Sequence, residues 1–561
     1  MKKTCSITNQ PFAITEDDLK FYEQVGVPAP TLCPEERQRR RLAWRNDRTL
    51  YKRKCDATKK TIISNYHADH PFPVYENNYW WSDKWDALKF GRDFDFNRTF
   101  FEQFSDLQTV IPHCALSVIK PSLENSDYCN QVGYLKDCYL CFDTRYCEKC
   151  LYSKSIEDCY ECLDCFKVFS SELCYECDFC LNCYGSTYLL NSQNCSECHF
   201  GANLVGCKNC FGCVNLRNKQ YYFMNHKYGK AEYETKIQKI FSQFSREELR
   251  QHFLTHQQTL PRKWMEQINT ENCTGSHLIG CKDCTECYDS EDLEKCKYCF
   301  DIKRTRDHSP SFHNYDINNF GGQLTECYEC VSIGNGNNHC ILCDNVWGCS
   351  DTFYSRICGQ AQNIFGCIAL RNAKYCILNK QYSKDEYFKL RDKIIEHMKK
   401  NPGSESGTGS EWGNFLPMNL SPFAYNETVA QEYFPLTKKE VIARGLQWKD
   451  SDKKDYLPQT FKTSKAIEDV PVSICKEILA CSDCGKNYKI QKVEIAFHKK
   501  MKIPLPKKCP YCRHVDRLKL RLPRKLHDRK CDNCSAGIQT PFAPERPEKV
   551  FCEKCYLNAV N

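Results

Sequence analysis

The sequence predicts a mainly β chain with small α+β modules. Two cysteine-ladder parallel β-solenoid units with capping helices are flanked by two copies of one cysteine-knuckle module. Three observations predict this: the spacing of the 44 cysteines, a passage used twice, and a match between the two ends. Every cysteine from Cys114 to Cys213 lies a multiple of three from every other. Cys129, Cys138 and Cys147 step by nine, and so do Cys340, Cys349, Cys358, Cys367 and Cys376. No helix keeps that register, because nine residues make two and a half turns and successive cysteines would face opposite ways. A parallel solenoid keeps it, with like residues stacked inside and a coil of about eighteen residues holding two nonapeptides. Cysteine suits such a core, being small and readily buried.

The ends come first in the argument. Shifting residues 1–82 by 476 superposes Cys5 on Cys481, Cys33 on Cys509, Cys55 on Cys531 and Glu76 on Cys552. Pro34, Arg37, Arg41, Arg45, Arg48, Arg53 and Asp56 fall on identical residues. This is a duplication. The later copy, residues 475–561, holds four CxxC pairs: Cys481/Cys484, Cys509/Cys512, Cys531/Cys534 and Cys552/Cys555. Two knuckles supply four thiolates and satisfy tetrahedral zinc, so eight ligands imply two zinc ions per chain. In the earlier copy Thr8, Glu36 and Thr58 stand where second cysteines would, and the fourth pair is lost as Glu76 and Tyr79. Residues 1–82 are therefore expected to fold without metal.

The stretch ACSDCGKNYKIQKVEIAFHKKMKIPLPKKCPYCR resembles the small treble-clef zinc-ribbon module of bacterial zinc-binding proteins. KCDNCSAGIQTPFAPERPEKVFCEKCY resembles its companion, with seventeen residues between CxxC pairs. The resemblance implies sequential pairing of the knuckles, first with second and third with fourth. It also implies a tendency to bind nucleic acid. Through CPEERQRRRLAWRN, YWWSDKWDALKFGRDFDF and YFPLTKKEVIARG the whole chain resembles a cysteine-rich zinc-ribbon family of reduced-genome bacteria. Some of its members carry a CaiB/BaiF CoA-transferase label, and no residue here supports that chemistry.

Charge is partitioned. Residues 1–60 hold 14 Lys/Arg against 8 Asp/Glu, residues 476–561 hold 20 against 9, and the middle holds 45 against 54. Arg37, Arg41, Arg45 and Arg48 recur at spacings of four and three, on one face of a helix; Arg53 follows. Arg513, Arg517, Arg521, Arg524 and Arg529 are their counterparts. Rows of arginine track a phosphate backbone, and Trp44 and Tyr51 could stack on unpaired bases, which points to RNA or a single strand. The alternative is that these arginines pair with the acidic middle of the same chain, or with a protein partner.

Residues 83–109 form an aromatic segment expected to cover the open end of the first coil. Asp93 and Asp95 are read there as a satisfied polar face rather than a carboxylate pair. The first solenoid is placed at 110–228. Within it CYECDFCLNC suggests an iron–sulfur ligand set, but the wider fourth spacing and the proline of a ferredoxin run are missing, and buried ladder thiols are the expected role. FGCVNLRNKQYYFMNHKYGKAEY at 211–233 is repeated as FGCIALRNAKYCILNKQYSKDEY at 365–387. Each reads as a final coil followed by a helix. Helices at 229–272 thus connect to a second solenoid at 273–382, capped at 383–400. An insert carrying His308 and His313 interrupts the second. Residues 401–474 read as a Gly/Ser-rich linker and an extended arm.

The N-terminus lacks an apolar core, and no apolar run is long enough to span a membrane. Cysteine richness without export points to a cytoplasmic protein with reduced thiols and metal sites. No Walker loop, dinucleotide fingerprint or nucleophile elbow is present. The expectation is a non-enzymatic zinc protein that binds nucleic acid or serves as a scaffold, with no small-molecule substrate. A redox protein or enzyme using clusters on the solenoid cysteines is the alternative.

Overall fold

The computed structural model describes residues 1–560 apart from 305–308, 321–327, 332–335, 403–408, 451–454 and 462–465. His308 therefore lies outside the described residues. The chain is mixed α/β, with most strands in parallel sheets. It divides into two compact units, one built from 1–116 and 267–450, the other from 117–266 and 451–561. Each unit combines a stack of parallel strands with the cysteine module from the opposite end of the chain. No described helix is long and apolar enough to cross a membrane.

The strand register corrects the expected coil length. Phe142 pairs Lys154, Lys154 pairs Phe166, and Phe166 pairs Asp178, all in parallel. In the second stack Ser350 pairs Gln362 and Gln362 pairs Lys374. Each coil is therefore twelve residues, not eighteen. From Asp137 to Asn203 every third residue has positive φ, with Gly185 in one of those places. Each three-residue side thus has one inward residue, one outward residue that joins the ladder, and one left-handed corner residue. A step of nine is three sides, so it keeps the inward position while moving to another wall. That is why the cysteine register allows nine without making it half a coil.

Left-handed backbone costs an ordinary L-residue roughly 1–2 kcal/mol, and the ladder offsets it at each corner. The outward residue's N–H donates to the next coil (Leu151 to Cys162 O, 3.1 Å), and the following corner N–H donates back (Tyr152 to Tyr139 O, 3.0 Å). Asparagine eases the corners further, as in the side-chain ladder from Asn182 to Asn194 (3.1 Å). Inside, cysteine is more than filler. The Cys150 sulfur accepts the N–H of Cys162 at 3.4 Å. Its thiol lies 3.4 Å from Glu148 O and 3.6 Å from Cys159 O. Serine does the same at Ser153, Ser171 and Ser186, each accepting an inward N–H twelve residues later. All described cysteines are free thiols. Burial pushes the Cys376 thiol up to about 12.

The twice-used passage ends each stack in the same way. Asn225 bonds both backbone groups of Val214, and Asn379 those of Ile368. A short antiparallel return then leads into the helices Lys230–Gln243 and Lys384–Lys400. In the second stack, pairs such as Phe300 with Asn318 are eighteen apart, so the insert adds six residues to one coil.

The aromatic segment is corrected in its target. It packs on the last coils of the second stack, not on the first coil of the first. Arg92 N–H donates to Leu378 O (3.2 Å), and Phe100 packs edge-on against Phe365 at 5.4 Å. Asp93 pairs with Lys380 (2.6 Å). The linker reading also needs correction at its end. Glu411 is buried, and its carboxylate accepts the Phe100 and Phe101 N–H groups at 3.0 and 2.9 Å. It caps the Phe100–Val110 helix from more than three hundred residues away. Trp412, Phe415 and Leu416 join the core of the same unit.

Candidate metal centres

The eight expected ligands form two groups, Cys481/Cys484/Cys509/Cys512 and Cys531/Cys534/Cys552/Cys555, with all sulfurs of each group within 4.8 Å of one another. The pairing is sequential. Among the described residues no other Cys, His, Asp and Glu side chains assemble in this way, the inward cysteines of the stacks included. Local structure explains the convergence. Cys481 follows a two-residue strand, and its turn closes by Gly485 N–H to Cys481 O (3.0 Å), with Gly485 left-handed. Cys509 caps the helix Pro510–Leu518, and Cys512 sits in its first turn. In the second group Ser535 takes the left-handed place, and Cys555 lies in the helix Glu553–Val560.

The spacing suits a tetrahedral ion. Zinc–sulfur bonds of about 2.3 Å put sulfurs about 3.8 Å apart along a tetrahedral edge. Cys484 and Cys509 are 3.8 Å apart, and Cys534 and Cys552 3.7 Å. Burial works against ionisation at Cys481, but backbone N–H groups of Cys509, Cys484 and Asp483 outweigh it and bring the thiol down to about 6. Cys531 comes down to about 6 in the same way, through the N–H groups of Cys552, Cys534 and Asn533.

The N-terminal module keeps these turns without the second cysteine of each pair. Asn9 N–H donates to Cys5 O and Lys59 N–H to Cys55 O, both at 2.9 Å, with Asn9 and Lys59 left-handed. Cys55 still accepts the N–H groups of Thr58 and Glu76. Leu32, Ile7 and Phe12 pack beside Cys5 and Cys33 instead.

The arginines do not form an open basic face, and this corrects the nucleic-acid reading at most of them. Arg37 donates to Asp316 (2.9 Å), Arg41 lies 3.2 Å from the same carboxylate, and Arg40 donates to Glu329 (2.5 Å). Arg513 and Arg517 grip Asp164 at 2.6 and 2.9 Å, and Arg517 reaches Glu176 at 3.4 Å. All five are at most 4 % exposed, too deep for a phosphate to reach. Arg45 is buried against Asp47 (2.7 Å). Arg53 and Arg529 pair with Asp56 and Asp532. Arg521 lies over the Phe166 ring at 3.4 Å; Arg48 and Arg524 are half-buried or deeper. Trp44 is buried and donates to Leu416 O, so it cannot stack on a base; Tyr51 is half-buried, with its hydroxyl donating to Glu427.

The acids that receive these arginines were missed by sequence reading. Tyr152, Asp164 and Glu176 occupy one corner of three successive coils; Tyr298, Asp316 and Glu329 do the same in the second stack. The Arg513 guanidinium lies 4.7 Å over Tyr152, and Arg37 lies 5.1 Å over Tyr298. In the first stack the tyrosine, aspartate and glutamate fall at twelve-residue spacing, a signal legible only to a reader who already had the coil length. The same docking was thus made twice, once with a four-cysteine knuckle and once without. No protein-family model matches the chain, and no curated protein matches it.

Proposed function

We propose that this is a non-enzymatic zinc protein that serves as a scaffold. In this reading the stacks are β-solenoids, the terminal modules are treble-clef zinc ribbons, and the two four-cysteine groups each hold zinc. The chain's affinity with the cysteine-rich zinc-ribbon family of reduced-genome bacteria belongs to the same reading. The observation that carries it is the sulfur spacing of 3.7–3.8 Å in two closed, sequentially paired groups. Four protein ligands leave no open position for substrate, which is the mark of a structural site. Duplicated docking supports the scaffold, since the strongest basic chemistry of the chain is spent on holding module to solenoid.

Metal analysis with an anaerobic absorption spectrum tests it. Two zinc ions per chain and no visible band are expected, and Cys481→Ser and Cys531→Ser should each release one ion. Four or more ions, or a band near 400 nm, would revive clusters on the solenoid cysteines.

A second reading, binding to RNA or a single strand, keeps one support. Tyr511, 60 % exposed on the helix that carries Cys512, lies beside Lys486, whose Nζ is 5.7 Å from its ring centre. An exposed ring with a lysine beside it suits base stacking and phosphate contact. Such binding should be steeply salt-dependent and weakened by Tyr511→Ala and Lys486→Glu. No binding at low salt leaves the scaffold alone.

A further inference from the structure

The helix Pro510–Leu518 does two jobs within one turn of each other. Cys509 caps it and Cys512 lies in its first turn, so half of the first four-cysteine group belongs to it. Arg513 and Arg517 then carry it into the corner ladder of the first stack, where Asp164 receives both. Glu494 and Phe497, on the neighbouring helix Lys492–Met501, complete the seat. Glu494 accepts the Tyr152 hydroxyl at 2.7 Å, and Phe497 packs with Leu151, Leu163 and Tyr175.

We propose that the first four-cysteine group is a metal-dependent latch. With metal bound, the module stays seated on the first stack; without it, the module lifts and uncovers Tyr152 and Asp164, while Glu176 keeps Arg250 of the helix Arg246–Thr259. The physical ground is the contrast with the other unit. There the equivalent helix, Pro34–Leu42, seats Arg37, Arg40 and Arg41 on Tyr298, Asp316 and Glu329 with Glu36 in place of the second cysteine. There the knuckle itself is held without metal, by Leu32, Ile7 and Phe12 packed beside Cys5 and Cys33, where the C-terminal copy has Lys508, Asp483 and Tyr488. In the C-terminal module the knuckle is solvent-facing, with Cys484, Ser482 and Asp483 exposed. Structural zinc supplies much of the folding free energy of such small modules, and a helix that has lost its fold cannot hold two guanidiniums at one carboxylate. The second group sits on different contacts, with Val550 pairing Arg262 and Tyr556 bonding Asn215, so it is not part of the latch.

The latch rests on zinc binding as proposed above, and the test separates the two. The full-length chain is treated with a carbodiimide and an amine, with and without a zinc chelator, and labelled carboxylates are mapped by mass spectrometry. Asp127, whose side chain is 69 % exposed, is the internal reference. Asp164 should stay unlabelled in the metal-loaded chain and reach the level of Asp127 after chelation, while Asp316 and Glu329 stay covered throughout. Cys484→Ser should uncover Asp164 without chelator; Cys534→Ser should not. The latch is overturned if both metals leave and Asp164 stays covered, if Cys534→Ser acts like Cys484→Ser, or if both ladders open together. A chain that purifies without metal overturns the zinc reading and the latch with it.

Discussion

An inward cysteine in these stacks meets the backbone at three points, and serine can replace it in all three. Cys150→Ser should therefore cost about 1 kcal/mol or less, the scale of one exchanged hydrogen bond. Cys150→Phe should cost about 1–3 kcal/mol, because the wall has no room for a ring. Thermal unfolding of the two variants separates a packing role from a ligand role, since loss of a metal cluster would make both equally harmful. Asp164 is the harder residue to replace. It is fully buried between two guanidiniums, and removing one partner of a buried pair costs about 3–5 kcal/mol. Asp164→Asn should destabilise the unit of 117–266 and 451–561 by that order in denaturant titrations. Asp316→Asn should do the same in the other unit. Unequal effects would mean that the two dockings are not energetic copies.

At the scale of the element, the left-handed corner is the constraint that makes a twelve-residue coil. Asn194 sits at φ 53° and continues a ladder with Asn182. Asn194→Gly should be tolerated, whereas Asn194→Val should cost about 1–2 kcal/mol for a β-branched residue in left-handed backbone. Burial also sets an acid sensitivity in this unit. It lowers His498 and His199 to about 4 each. Both stay neutral when folded and take protons when unfolded, so their share of stability is intact above about pH 6.5 and lost as pH falls toward 4. Burial raises Asp178 to about 7. Its share runs the other way, present at low pH and lost as pH rises from about 3.9 toward 7. Burial raises Glu176, Glu197, Glu266 and Glu494 of the same unit as well, so each share is read by difference. As pH falls from 6.5 to 4, the melting temperature of Asp178→Asn should drop relative to that of the parent chain. Parallel profiles would place Asp178 in contact with water.

At the scale of the whole molecule, charge reversal at Arg41 or Arg517 should act on folding and not on a salt slope. Arg41→Glu puts a second acid beside Asp316, and Arg517→Glu puts one beside Asp164. Loss of structure in the corresponding unit is expected, read by limited proteolysis; an intact fold with weakened RNA binding would restore the arginines to a nucleic-acid face.

Legibility in the sequence followed locality. The knuckle ligands were legible because a CxxC turn declares itself within four residues, and the duplication was legible because Cys5 and Cys481 anchor an ungapped match. The parallel register of three was legible because each coil side is three residues long. Coil length was not, since nine, twelve and eighteen are all multiples of three and only hydrogen bonding between rungs selects twelve. Nor was the destination of Arg37 and Arg513. A row of arginines on a helix looks the same to a phosphate backbone and to a carboxylate ladder, and Asp164 or Asp316 becomes a ladder only once the coil closes. The sequence by itself determined the inward register of three and the two four-cysteine groups, both set by short-range stereochemistry. Tertiary structure alone decided which module each stack receives, because that choice rests on side chains brought together from as far as 353 positions apart.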